Sequence, residues 1–182
     1  MSLPAFTPIH TSRMTIRLLE ERDLQDLLAI NGDSEVTRFL PYSTWQNMED
    51  AQAWYARTVA RCADGNAQQV VLVLRETNTV IGSALLFRYE ADSRRAEIGY
   101  VLGQPWWRQG LTREAMYAIC DHAFKVVGVN RLEAEVDIDN TASNAVVKSL
   151  GFTHEGTMRE RWINAGRPVT THKYGLLAAQ SQ

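Results

Sequence analysis

The stretch Ala96-Glu97-Ile98-Gly99-Tyr100-Val101-Leu102-Gly103-Gln104-Pro105-Trp106-Trp107-Arg108-Gln109-Gly110-Leu111-Thr112-Arg113-Glu114-Ala115 decides how this chain folds. It opens as a strand, running from about Arg94 to Leu102. Gly103-Gln104-Pro105 breaks that strand. From Leu111 to Val127 the apolar residues recur at helical spacing, with Met116, Ile119, Cys120, Ala123 and Val127 on one side and Gly128 placed as the C′ residue. Arg131 to Asp137 (RLEAEVD) then alternates as a strand. A helix separates these two strands, so they are predicted to pair in parallel.

Toward the N-terminus, Met14 to Leu19 reads as a strand. A helix follows from Glu20 to Asn31, with Leu24, Leu27, Leu28 and Ile30 on its apolar face and Gly32 stopping it. A second helix spans about Asn47 to Ala63, with Ala51, Trp54, Tyr55, Thr58 and Val59 on one side, and ends at Asp64-Gly65-Asn66. Gln69–Arg75, Val80–Tyr89 and the strand from Arg94 are joined by Glu76-Thr77-Asn78 and Ala91-Asp92-Ser93, which predicts an antiparallel meander. Toward the C-terminus, a short helix runs from about Thr141 to Leu150 with Asp139 or Asn140 as N-cap and Gly151 at its end. Two strands, Thr153–Asn164 and Pro168–Leu177, flank Ala165-Gly166-Arg167 as a closing hairpin. The expected fold is α+β: a mixed sheet with about four helices, in one domain over residues 1–182 with its core at about 12–178.

Composition narrows the function. With 182 residues the chain is long enough to bury a full core without a disulfide or metal staple. A net charge of −2 and a pI near 6.1 argue against a general nucleic-acid binder or a partner of anionic membranes. Cys62 and Cys120 form no CxxC pair, so they read as reduced thiols of a cytoplasmic protein, and no metal site is expected. No run approaches the roughly 18 apolar residues of a membrane span. Met1-Ser2-Leu3-Pro4 lacks the basic and apolar regions of a signal peptide, and Met1 to Leu3 is open to reading as an expression scar.

The turn at 107–113 carries the chemistry. The first amides of a helix have no internal partner and meet the positive end of its dipole. Gly110 lets a polar ligand approach the backbone, and Arg108 and Arg113 add full charges, so a phosphate or diphosphate suits this turn. The plainer reading is a tight turn with solvated arginines. The stretch is neither a P-loop nor GxGxxG. A second element is Asn140-Thr141-Ala142-Ser143-Asn144, opening a helix that ends in Leu150-Gly151-Phe152.

On these segments the chain resembles the GCN5-related N-acetyltransferase (GNAT) superfamily, and within it the RimJ/RimL-like branch of ribosomal-protein N-acetyltransferases. Ala96 to Leu102 looks like the family's fourth strand, Trp107 to Ala115 like its pyrophosphate loop and following helix, and Asn140 to Phe152 like its Asn-x-x-(Ala/Ser) helix ending in Leu-Gly-Phe. The resemblance implies a splayed pair of central parallel strands that admits the pantetheine arm of acetyl-CoA against Tyr100, Val101 and Leu102. It places the pyrophosphate on Arg108, Gln109, Gly110, Leu111, Thr112 and Arg113, and Asn140 and Ser143 near the pantetheine or thiol end. Many relatives carry Gly at the position of Arg108, and Gly or Ala at that of Thr112. The tyrosine that many members use to protonate the thiolate is Val147 here, which turns attention to Ser143 as donor.

The implied reaction is direct attack of an amine on the acetyl thioester, aided by positioning, proton acceptance and a backbone oxyanion donor near Tyr100. Glu97 is the first candidate for base or water relay, or else a partner of Arg94 or Arg95. Glu160 and His172 are alternatives. By the same resemblance the first helices and the closing hairpin frame the acceptor, with Phe39, Tyr42, Trp45, Tyr55, Trp162 and Tyr174 as candidate lining and Asp33, Glu35, Glu49 and Asp50 nearby. A protein or peptide N-terminal α-amine ranks first as acceptor and a small-molecule amine second. A weakly catalytic CoA-binding module is the reading from another class. The branch and the general abundance of twofold pairs make a homodimer the assembly to look for.

Overall fold

Alternate residues along the strands are apolar on both sides, and this sets two helical layers against opposite faces of one sheet. The computed structural model describes residues 2–164 and 166–180. Its strands are β1 (Ile9–His10), β2 (Met14–Leu18), β3 (Gln68–Leu74), β4 (Thr79–Glu90), β5 (Arg95–Leu102), β6 (Arg131–Asp137), β7 (Thr153–Asn164) and β8 (Arg167–Leu177). Its α-helices are α1 (Leu24–Asn31), α2 (Ser34–Thr37), α3 (Met48–Ala63), α4 (Leu111–His122) and α5 (Thr141–Ser149). The eight strands form a single sheet in the order β1-β2-β3-β4-β5-β6-β8-β7.

In β3, Val70 and Leu72 join the core beneath α4 and α5, while Val71 and Val73 join the core beneath α1 and α3. The first core is the larger and holds Met116, Ile119 and Cys120 of α4, Val147 of α5, and Tyr174 and Leu176 of β8. The second gathers Leu24, Leu27 and Ile30 of α1 with Trp45 and with Ala51 and Trp54 of α3. The predicted apolar side of α3 is narrower than expected, since Val59 is about half exposed.

The meander, the parallel β5–β6 pair and the closing hairpin are all present. The described residues form five α-helices rather than about four, because Asp33 caps the one-turn α2 through Glu35 N–H and the short segment carries no periodicity to read. The two-residue β1 is likewise too short to read. The helix from Leu111 runs as α4 to His122 and then widens into a π turn over Ala123–Val127, closed by Gly128 in the left-handed region. Ala165 of the hairpin turn and Met1 lie outside the described residues. Among those described, no helix is long and apolar enough to cross a membrane.

The β5–β6 pairing is brief. Arg95, Ala96 and Glu97 pair with Arg131, Leu132 and Glu133, and there the ladder stops. Beyond that point β5 stays on β4 as far as Leu102, and β6 stays on β8 as far as Asp137. The two strands therefore part, and among the described residues no backbone hydrogen bond joins Ile98–Leu102 to Ala134–Asp137.

At the mouth of this gap sits the N-terminus of α5, tied down by Asn144. Its Nδ2 donates to the carbonyls of Asp137 and Asn140 (2.9 and 2.8 Å), and its Oδ1 accepts from the buried Tyr174 hydroxyl at 2.7 Å. Tyr174→Phe would strip a buried acceptor of its donor and is expected to cost about 1–3 kcal/mol in urea unfolding; an unchanged midpoint would remove Asn144 from this role.

Candidate active site

The turn ahead of α4 is an array of free donors. Gly110 (φ 75°) and Arg108 (φ 59°) both take the left-handed conformation, and Gly110 N-caps α4 with no side-chain cap. Glu114 N–H donates to the Gly110 carbonyl. Among the described residues, the amides of Arg108, Gln109, Gly110, Leu111, Thr112 and Arg113 have no acceptor. Six consecutive free N–H groups at a helix N-terminus form an anion cradle. Arg108, Gln109, Gly110 and Arg113 are exposed, whereas the Leu111 side chain is core. Arg108 stands in a conformation that favours glycine.

One buttress of the cradle escaped the sequence reading. Arg13, in the β1–β2 turn, donates from Nη1 to the Gln109 carbonyl (2.9 Å) and pairs through Nε with Glu114 (2.7 Å). Glu114 also accepts from Ser12 Oγ and Arg13 N–H at 2.9 Å. Burial works against the charged carboxylate, but donors from Thr11, Arg13 and Ser12 outweigh it and hold Glu114 down at about 2. A carboxylate in the first turn of an anion-binding helix calls for a neutralising cation, and that was the available signal. Trp107 Nε1 donates to the Leu102 carbonyl at 2.7 Å, fixing the turn to the end of β5.

Around the gap, Tyr100 and Leu102 turn their backbone groups toward β6, whereas Val101 between them turns its carbonyl to Gly82 of β4, and the Val101 and Leu102 side chains are buried in opposite cores. Asn140 Oδ1 caps α5 by accepting from Ser143 N–H (3.0 Å). Ser143 Oγ meets the Tyr100 hydroxyl at 2.7 Å. Val147, where a proton-donating tyrosine would be sought, is fully buried in the core.

Glu97 lies on the α1/α3 side of the sheet. It pairs with Arg88 (2.9 Å) and Lys173 (3.6 Å), both through Oε2, and not with Arg94 or Arg95. Its neighbour Glu133 is bound by Arg131 (2.8 Å), Arg95 (3.0 Å) and Lys173 (3.0 Å). Burial pushes Glu133 up, and the Arg131, Lys173 and Arg95 cations outweigh it. One step further along β6, where the strands have parted, Glu135 accepts from Thr171 Oγ1 (2.7 Å) and from Arg161 Nε (3.3 Å), both on Oε1. The sequence reading passed over Glu135, although strand alternation puts it on the face of Glu133.

Two base alternatives are displaced. His172 shares the opposite face of β8 with Tyr174 and lies within 3.0 Å of His154 and Thr157. Burial first, then His154 and Lys148, lower its proton affinity. Glu160 is exposed in the irregular stretch of β7, with φ 47°. Of the candidate acceptor lining, Tyr174 is buried beneath α5, Trp45 packs on Trp54, and Tyr55 lines a cavity of about 340 Å³ with Leu3, Phe6 and Leu18. Tyr42 packs against the second core and its hydroxyl donates to Asn31 Oδ1 at 2.9 Å, which leaves Phe39 and Trp162. The hairpin tip reaches their side of the sheet through Asn164 Nδ2, which donates to the Leu40 carbonyl at 3.2 Å.

The cradle, the gap opening beside it and the hydroxyl pair across that gap fit a long ligand with a diphosphate, an amide-bearing arm and a reactive end. Residues 13–153 match the family model for the acetyltransferase (GNAT) domain. The chain is 30% identical over 169 residues to the uncharacterized N-acetyltransferase p20 of Bacillus licheniformis, covering 93% of this chain and 95% of that one. Spermidine N(1)-acetyltransferase of Escherichia coli is 27% identical over 82% of this chain and 78% of its own length. The ribosomal-protein-serine acetyltransferase of the same species is 28% identical over 63% of each. Among solved structures, RimL, the ribosomal L7/L12 α-N-protein acetyltransferase in complex with coenzyme A, superposes with a TM-score of 0.84 at 20% identity, covering 94% of this chain and 98% of that one.

Two outcomes are expected at the cradle. Glu114 contributes stability in full above its unfolded value of 4.5 and loses it as pH falls toward about 2. Glu114→Gln should therefore cost about 1–2 kcal/mol at pH 7, discounted for the exposed Arg13, and less at pH 3. Equal losses at both pH values in urea titrations would contradict the ion pair. Arg108→Gly should relieve backbone strain and raise stability by about 0.5–1 kcal/mol while weakening diphosphate binding a few-fold. A loss of stability would contradict the strain.

Proposed function

The chain belongs to the GNAT acetyltransferase family and is an acetyl-CoA-dependent N-acetyltransferase, and from that premise we propose that its acceptor is the N-terminal α-amine of a protein or peptide, of the ribosomal-protein type. The observation that carries this reading is the acceptor side itself. The β7–β8 hairpin reaches this side through Asn164 and exposes Met158 and Trp162 on it, apolar surface suited to a polypeptide chain, while Ile163 lies on the other face. A polyamine or other small amine is the second reading, favoured by the carboxylates Glu97 and Glu135 on that face and by the spermidine acetyltransferase among the relatives.

In this reading the pyrophosphate of acetyl-CoA lies on the amides of Arg108 to Arg113, with the Arg108 and Arg113 side chains adding charge. The pantetheine arm lies along β5 at Tyr100, Val101 and Leu102, its amides meeting the gap-facing groups of Tyr100 and the Leu102 N–H. Asn140 and Ser143 stand at the thiol end. A backbone N–H of β5 near Tyr100 stabilises the developing oxyanion. The amine attacks as a neutral base. An α-amino group near pH 7.7–8.0 is about half neutral at that pH, so it needs little more than a relay for its second proton. Glu97 takes that proton through water, and Ser143 donates to the departing thiolate. The protein works in the cytoplasm, and a homodimer is part of this reading, checked by light scattering.

A panel read by mass spectrometry tests the acceptor: ribosomal-protein N-terminal peptides beside free amino acids, polyamines and aminoglycosides, each with acetyl-CoA. Acetylation of the peptide α-amine in preference to spermidine is expected. Preference for spermidine would install the second reading, and tight acetyl-CoA binding without turnover would install the binding module. On the best acceptor, Glu97→Gln should lower kcat about 10–100-fold with CoA affinity unchanged. If Glu135→Gln shows that loss and Glu97→Gln does not, the relay belongs to Glu135, whose two hydrogen bonds come from a neutral hydroxyl and a long arginine contact.

A further inference from the structure

Two hydroxyls meet across the open gap. The Tyr100 hydroxyl, from the unpaired stretch of β5, lies 2.7 Å from Ser143 Oγ and 3.3 Å from the Ser143 carbonyl. Ser143 is fixed in the first turn of α5 by the Asn140 cap, and α5 is fixed to the sheet by Asn144. Among the described residues no other hydrogen bond reaches either hydroxyl.

A serine hydroxyl has one proton and two lone pairs and rotates to suit its surroundings. Left alone beside a thiolate, it would spend part of its time pointing elsewhere. With the Tyr100 proton on Ser143 Oγ at 2.7 Å, the Ser143 proton remains to offer into the gap; with it on the Ser143 carbonyl at 3.3 Å, Ser143 would donate to Tyr100 and none would remain. We propose that Tyr100 is a positioning residue for thiol departure: its O–H donates to Ser143 Oγ and turns the single Ser143 proton toward the sulfur of coenzyme A. The inference rests on Ser143 as the donor in the reading above.

The amine nitrogen forms its bond to the acetyl carbon and the C–S pair goes to sulfur. The Ser143 proton moves to sulfur while Tyr100 keeps its own, and the proton lost by the acylated nitrogen passes to Glu97 through water and is returned to Ser143 Oγ through solvent. Burial pushes the Tyr100 phenol up to about 12 against the opposing Ser143 hydrogen bond, so it stays a donor across the working range.

The acidity of the bound thiol reads this arrangement without any acceptor. Coenzyme A is titrated on the protein by thiolate absorbance, with desulfo-CoA as blank, and its Kd is measured in parallel. In the wild type the bound thiol should titrate about one unit below free coenzyme A, the effect of one hydrogen bond to a charged acceptor. Ser143→Ala should abolish the shift and Ser143→Thr retain it. Tyr100→Phe should lose at least half of it, with Kd within a few-fold of wild type and an unchanged Tm. A wild-type thiol that is not shifted, or a Tyr100→Phe protein that keeps the full shift, overturns the proposal. If Tyr100→Phe does not fold, a shift that survives Ser143→Ala overturns it instead, and its loss there with retention in Ser143→Thr upholds the pair. Failure of the wild type to bind coenzyme A would overturn the coenzyme reading, and this inference with it.

Discussion

Three residue pairs join β5 to β6, and the ladder stops at Glu97 and Glu133 while both strands continue on their outer neighbours. An interior strand edge with free N–H and C=O groups is costly unless something satisfies them. Here Trp107 occupies the Leu102 carbonyl and Asn144 the Asp137 carbonyl, and α5 lies across the mouth of the gap. A chain of amides can lie in such a gap as a surrogate strand. The rest of the site is arranged around it: the anion cradle ahead of α4 at one end, the Ser143–Tyr100 pair across it, and the carboxylates on the far face.

The parting of the strands is held in place by charge below and by hydrogen bonds above. Below, Arg95, Arg131 and Lys173 converge on Glu133, and Arg88 and Lys173 on Glu97, clamping the strands just where their ladder ends. Above, Asn144 ties α5 to the end of β6 and to β8, so β6 cannot swing back toward β5 without carrying that helix. These ion pairs include half-exposed partners and are worth little singly. Their contribution is geometric, since they decide where pairing stops.

Much of this was legible in the sequence because it is local. The meander follows from turn residues between alternating strands, and the parallel pair from a helix of the right length between Leu102 and Arg131. The cradle follows from Gly110 before a helical period, and the α5 cap from Asn140. What escaped depends on contacts between distant positions or on strand parity. Arg13 reaches Glu114 across 101 positions and Tyr100 reaches Ser143 across 43, and no period or spacing encodes either. Tyr174 reads as acceptor lining and His172 as an alternative base because parity along the hairpin cannot be counted from sequence. It depends on the pairing of β8 with β6, and β7 is irregular at two places. Glu135 was overlooked beside Glu97 because the splay that separates their surroundings was known only by resemblance.

The central claim is that the β6-facing edge of β5 and the turn before α4 together form one coenzyme site. Amide hydrogen exchange with and without coenzyme A measures this residue by residue. The amides of Arg108–Arg113 and the gap-facing amides between Ile98 and Leu102 should gain protection together, while those of the β2–β3 pair stay unchanged. Protection confined to the turn, with β5 exchanging as before, would contradict it.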